Sequence, residues 1–200
     1  PEQIRISMPN LIHIIASDIH DINKDVKKNA SDVLELLLKC SGNSDLDVFI
    51  PDVLKGIKDP KIIYNSVEAL ASCVFVQIVE APALAITLPI IQRGLNDKVT
   101  ATKRLTCIII DNMCKLIEHP KEILPFYEKI KSLLERCNDT ISDPEARAVS
   151  NRALNTLKGI VSGNENVNFL KETNDFIKLL PNISEEKLKY ISILITNISN

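Results

Sequence analysis

"PIIQRGLNDKVTATKRLTCIIIDNMCKL", residues 89–116, decides the architecture of this chain. It opens on a proline and an apolar run, passes through the polar turn Asn96–Asp97–Lys98, and enters a second, longer apolar stretch. Helically spaced apolar residues on both sides of a short polar turn read as a helical hairpin. On the second helix Arg104, Asp111, Lys115 and Glu118 form one narrow polar stripe, while Leu105, Ile108, Ile109, Met113, Leu116 and Ile117 cover most of the remaining circumference. A helix wetted on so thin an edge is packed on several sides. Asp111 precedes Lys115 by one helical turn, the favourable order for an ion pair worth about 0.3 kcal/mol.

The same opening recurs along the chain, as "PNLIHII" from Pro9, "PDVLKGIKD" from Pro51 and "PFYEKIKSLL" from Pro125, at intervals of 42, 38 and 36 residues with Pro89 included. Asp59 and Asp97 lie eight positions past their prolines, and Asp143 plays the same part after a longer turn. A repeat near forty residues, built as helix, turn and longer helix, predicts an all-α fold, a HEAT-type α-α superhelix of about four repeats. The expected units are 9–40, 48–79, 82–118 and 120–159 within an array spanning 1–160. The polar stretch 161–168 reads as a linker, and a helical pair is expected over 169–200.

Asp59–Pro60 and Asp143–Pro144 each set a side-chain acceptor before a proline, so both aspartates are expected to cap helices. Pro89 and Pro125 are expected inside first helices. The stripes Lys28–Asp32–Glu35–Lys39, Asn65–Glu68–Ser72 and Arg147–Asn151–Lys158 would stack beside the Asp111 stripe into one mixed-charge face.

Aromatic residues make up 4% of the 200 residues, Trp is absent and there are 5 glycines, a composition that disfavours a β-sandwich or barrel. No CxxC pair occurs among Cys40, Cys73, Cys107, Cys114 and Cys137, which read as reduced, buried thiols. No apolar run is long enough to span a bilayer, so a cytoplasmic, non-membrane protein is expected. The formal net charge of -2 gives no global field for nucleic acid. The histidines His13, His20 and His119 have no metal-ligand spacing, the glycines form no phosphate loop, and the carboxylates fall on helix stripes or caps. The segment is therefore expected to bind rather than catalyse, without metal, cofactor or small-molecule substrate, and as a monomer. The residues expected to face a partner are Lys98, Lys103, Arg104, Lys115 and Arg147; a basic residue early in a second helix can alternatively tie neighbouring repeats together.

"KRLTCIIIDNMCKLIEHPKEILPF" (103–126), with "VEALASCVFVQIVEAPALAITLPIIQRGL" (67–95) upstream and "ISDPEARAVSNRALNTLKGI" (141–160) downstream, resembles the HEAT domain of fungal-type translation elongation factor 3. The resemblance covers nearly half the chain, and the first sixty residues keep the helix pattern but few of the family's words. It implies a docking arm that touches the ribosome, both ribosomal proteins and rRNA, in a larger protein whose ATP-binding-cassette domains use ATP and Mg to assist release of tRNA from the exit site. It further implies that residues 169–200 begin a four-helix domain. A large HEAT-repeat activator that senses starvation on ribosomes is the second family resembled, although it tends to carry Gly where Asp111 stands. A generic HEAT protein-interaction scaffold is the reading from outside translation.

Overall fold

The computed structural model describes residues 2–162. Among the described residues nine α-helices follow one another: α1 (Glu2–Asp18), α2 (Lys24–Leu38), α3 (Ser44–Asp47), α4 (Ile50–Lys58), α5 (Ile63–Ala71), α6 (Ala81–Asn96), α7 (Thr100–Cys114), α8 (Leu124–Thr140) and α9 (Pro144–Ser162). Short 3-10 turns at Pro60–Ile62 and Pro120–Glu122 lead into α5 and α8. No strand occurs among the described residues. Four hairpins result, α1–α2, α4–α5, α6–α7 and α8–α9, and the hairpins stack in series. Among first helices, α6 packs between α4 and α8; among second helices, α7 packs between α5 and α9. This is an α-solenoid, in which each repeat buries its apolar faces against its neighbours.

α6 sits at the centre, with Pro82 through Ile91, Gly94 and Leu95 all buried. It touches α1, α4, α5, α7 and α8. The first repeat departs from regular stacking, because α1 packs on α6 rather than mainly on the short α4, while α2 meets α4.

Two glycines set how closely the hairpin helices approach. Gly56 and Gly94 each stand five residues past a repeat proline. A β-carbon on Gly56 would meet Ser66 Cβ at 2.7 Å and Ile90 Cδ1 at 2.8 Å; one on Gly94 would meet the Thr106 hydroxyl and lie 3.1 Å from Val67 Cγ2. In both repeats the missing side chain lets the first helix lie against a small hydroxyl residue of its partner. The period also reappears in the polar ties between repeats. Arg104 donates to Glu145 and Arg152 to Asp111, each across 41 residues, and the Ala81 N–H donates to Glu122 across the same separation.

Several boundaries differ from the sequence expectation. α1 begins at Glu2, so Pro9 lies inside it rather than opening the first unit. Pro89 is inside α6, but Pro125 falls in the first turn of α8, where its missing N–H leaves no helical bond unmade. α9 runs through Ser162, so helix occupies the start of the stretch expected as linker. The expected helical pair at 169–200 lies outside the described residues.

The caps are local and specific. The Asp143 carboxylate accepts from the Glu145 and Ala146 N–H groups at 2.8 and 3.0 Å, and Asp59 accepts from Lys61 N–H at 2.9 Å. Asp143→Ala is expected to lower stability by about 1 kcal/mol, read as a shift in the thermal midpoint. Asp59→Ala should cost less, since its one bond opens only a single 3-10 turn.

Candidate interaction surfaces

Of the second helices, α2 and α5 carry their polar stripes outward: Lys28, Asp32, Glu35 and Lys39, then Asn65, Glu68 and Ser72, are all exposed. Lys39 lies 3.7 Å from Glu35, and Tyr64 donates to Glu68 at 3.0 Å. On α9 Arg147 and Asn151 are exposed, while Lys158 is half-buried and reaches Glu135 on α8 at 3.1 Å.

α7 corrects the helical-wheel reading. Asp111 is 1% exposed rather than part of a wet stripe, and its carboxylate accepts from three side chains. Lys115 Nζ approaches at 2.8 Å, Arg152 Nε at 3.0 Å and Thr156 Oγ1 at 2.6 Å. The expected Asp111–Lys115 pair forms, but Arg152 and Thr156 come from α9, which closes over that edge of α7. Burial alone would raise the Asp111 carboxyl; Lys115, Thr156 and Arg152 outweigh it and hold it below the ordinary carboxylate range. The polar residue inside the apolar helix is thus a joint between the third and fourth repeats.

The five basic residues expected to face a partner divide accordingly. Arg104 donates to Glu145 at 2.6 Å, Lys115 to Asp111, and the Arg147 guanidinium to the Ile141 carbonyl at 2.8 and 3.0 Å. Those three hold repeats or helix ends together. Lys98 is exposed in the α6–α7 turn and Lys103 is half-buried in the first turn of α7; neither has an ion pair among the described residues. Of the five, Lys98 and Lys103 are therefore left as one local cationic pair at a turn.

No disulfide links the five cysteines, and all but half-buried Cys40 are buried. Burial, reinforced by Asp45, pushes the Cys73 thiol up to about 11; burial, reinforced by Asp111, pushes Cys114 up to about 12. Both stay protonated at neutral pH and act as packing groups. Among the described residues no cluster of three His, Cys, Asp or Glu side chains could hold a metal ion, and no helix is long and apolar enough to cross a membrane.

A cleft of about 500 Å³ opens on the opposite, first-helix layer, where α1 and α8 flank α6. Ala85, Leu88 and Pro89 of α6 form its floor, with Ile12 and Ala16 of α1 and Phe126 of α8 along the sides. His13, His20, Arg93 and Lys129 also line it, and no carboxylate does. A sequence signal existed for three of these: His13, Arg93 and Lys129 each stand four residues past a repeat proline, as does Lys55.

The family profile described as elongation factor 3/GNC1 HEAT repeat matches residues 62–168, more than half of the chain. The chain belongs to the elongation factor 3/GNC1 HEAT-repeat family. Elongation factor 3 of Pneumocystis carinii is 40% identical over 157 residues, covering 78% of this chain and 15% of that protein. Elongation factor 3A of Saccharomyces cerevisiae is 38% identical over 159 residues, covering 80% and 15%. Elongation factor 3 of Mycosarcoma maydis is 32% identical over 217 residues, covering all of this chain and 20% of that protein. The chain thus spans between 15% and 20% of the length of these relatives. Within the described residues, the family match takes in α5 through α9, the part of this HEAT module that contains the Asp111 joint and the Lys98–Lys103 turn.

Proposed function

We propose that this chain is the ribosome-docking HEAT module of an elongation factor 3-like translation ATPase, a binding arm whose parent protein hydrolyses ATP elsewhere and assists release of tRNA from the exit site. The observation that carries this reading is the family match over 62–168, reinforced by relatives that all bear the elongation factor 3 name. The physical layout supports it. A stack of hairpins offers a broad, polar outer face, and in the matched region Lys98 and Lys103, two of the cations without an internal ion pair, sit together at one turn where a phosphate or an acidic protein surface could be met. Arg104, Lys115 and Arg147, also expected to face a partner, each make a bond within the chain.

Ribosome pelleting tests the reading. The wild-type chain should co-sediment with ribosomes at low to moderate salt, and Lys98→Glu with Lys103→Glu should weaken binding by about fivefold or more, with a shallower salt dependence. Lys55→Glu, at a first-helix lysine already paired with Asp52 at 3.0 Å, should leave pelleting unchanged. Unaltered pelleting of the double variant moves the docking surface away from this turn; absence of pelleting by the wild-type chain removes the ribosome from the reading.

A further inference from the structure

The cleft between α1 and α8 is independent of the Lys98–Lys103 turn and lies on the other helix layer. It arises because α1 reaches past α4 to pack on α6, so that α1 and α8 become walls on either side of one buried helix. The repeat then places like residues together. The position four past each proline is basic in all four repeats, and the three that reach the cleft come from three different helices: His13 on α1, Arg93 on α6 and Lys129 on α8.

We propose that this cleft is a docking groove for an acidic, amphipathic segment of a protein partner. Charge selects the sign of the occupant: no Asp or Glu lines the groove although the chain as a whole is net negative. Lys129 and His13 are the exposed basic groups among its lining residues that make no bond within the chain's own core. The surface that the floor and sides present is small, with Ile12, Ala85 and Leu88 1, 2 and 6% exposed, but it comes from apolar groups and suits an apolar side chain of the occupant better than a phosphodiester.

Nucleic acid fits less well. Phe126 is 2% exposed and offers no face for base stacking. Arg93 is committed to the Gly56 and Ile57 carbonyls and to His20 Nε2, leaving Lys129 as the one fixed cation not held by such bonds. A single lysine is a poor phosphate track. A helix with leucines on one stripe and glutamates flanking it meets both the apolar floor and the basic rim.

The test uses the whole chain with methyl NMR and three probes: an amphipathic Leu/Glu peptide helix, the same peptide with Lys in place of Glu, and a short RNA duplex. The Leu/Glu peptide should shift the methyl signals of Ala16, Ala85 and Leu88. Its affinity should fall about tenfold in the variant carrying His13→Glu and Lys129→Glu, whose two sites are exposed, and by less in Lys129→Ala. Lys98→Glu with Lys103→Glu should leave that affinity unchanged, which separates this groove from the ribosome-facing turn. The proposal is overturned if the Leu/Glu peptide leaves these methyls unshifted, if the Lys peptide binds as tightly, or if the RNA duplex occupies the groove in preference to the peptide.

Discussion

Gly56→Ala is expected to destabilise the array by about 2 kcal/mol, although alanine is the better helix former by about 1 kcal/mol. The two effects oppose, and geometry decides between them. A β-carbon at residue 56 would stand 2.7 Å from Ser66 Cβ, an atom fixed to the α5 backbone, and 2.8 Å from Ile90 Cδ1 in the fully buried centre of α6. Ile90 can turn its terminal methyl only within a packed core, and Ser66 cannot withdraw its Cβ without moving α5. Overpacking of this kind costs about 1–3 kcal/mol, occasionally more, so it exceeds the propensity gain. Gly94→Ala should destabilise as well. There the tightest neighbour is the Thr106 hydroxyl, which a β-carbon would overlap and which is buried and bonded to the Thr102 carbonyl, so the hydroxyl must leave that bond or α7 must move. Chemical denaturation of both variants checks the sign. Two alanine variants equal to or more stable than the wild type would mean that helix propensity, and not the close crossing of hairpin helices, governs these positions.

The parts of the fold that were legible in the sequence are those set by local chemistry. Each hairpin announced itself by a proline, an apolar run and a polar turn, and Asp59 and Asp143 could be read as caps because a cap needs only the next two or three N–H groups. What escaped depends on partners a full repeat away. A helical wheel for α7 places Asp111 correctly on its own helix, but cannot show that Arg152 and Thr156, 41 and 45 residues later, close over it. The sequence left Arg104 open between facing a partner and tying neighbouring repeats, and only the structure shows its bond to Glu145, 41 residues later. The basic residue four past each proline was visible in the sequence, yet its meaning required knowing that α1 passes over α4 to lie beside α6.

Asp111→Ala should lower stability by about 3 kcal/mol, toward the bottom of the range for breaking a buried ion pair. The lower end applies because the cations are not stranded. Lys115 and Arg152 keep 55% and 58% of their side-chain surface exposed and return to water when the carboxylate goes, so the loss is the three bonds and the contact between α7 and α9. Asp111→Asn should cost about half as much, since an amide oxygen still accepts from Thr156 but no longer neutralises two cations. Acid titration of stability separates charge from shape. The folded-state carboxyl is held below its ordinary value, so its contribution is fully present above the unfolded pKa near 3.9 and is lost as pH falls through the lower folded value. The gap between wild type and Asp111→Asn, measured by urea denaturation, is therefore expected to be constant from neutral pH to about 5 and to close below about 4. A gap that persists unchanged to the lowest pH at which the array folds would assign the joint to packing of the side chain and not to its charge. Because α7 and α9 belong to adjacent repeats, the same variant should also make the fourth hairpin exchange its amide hydrogens faster than the third, the pattern expected when stability is carried by nearest-neighbour interfaces.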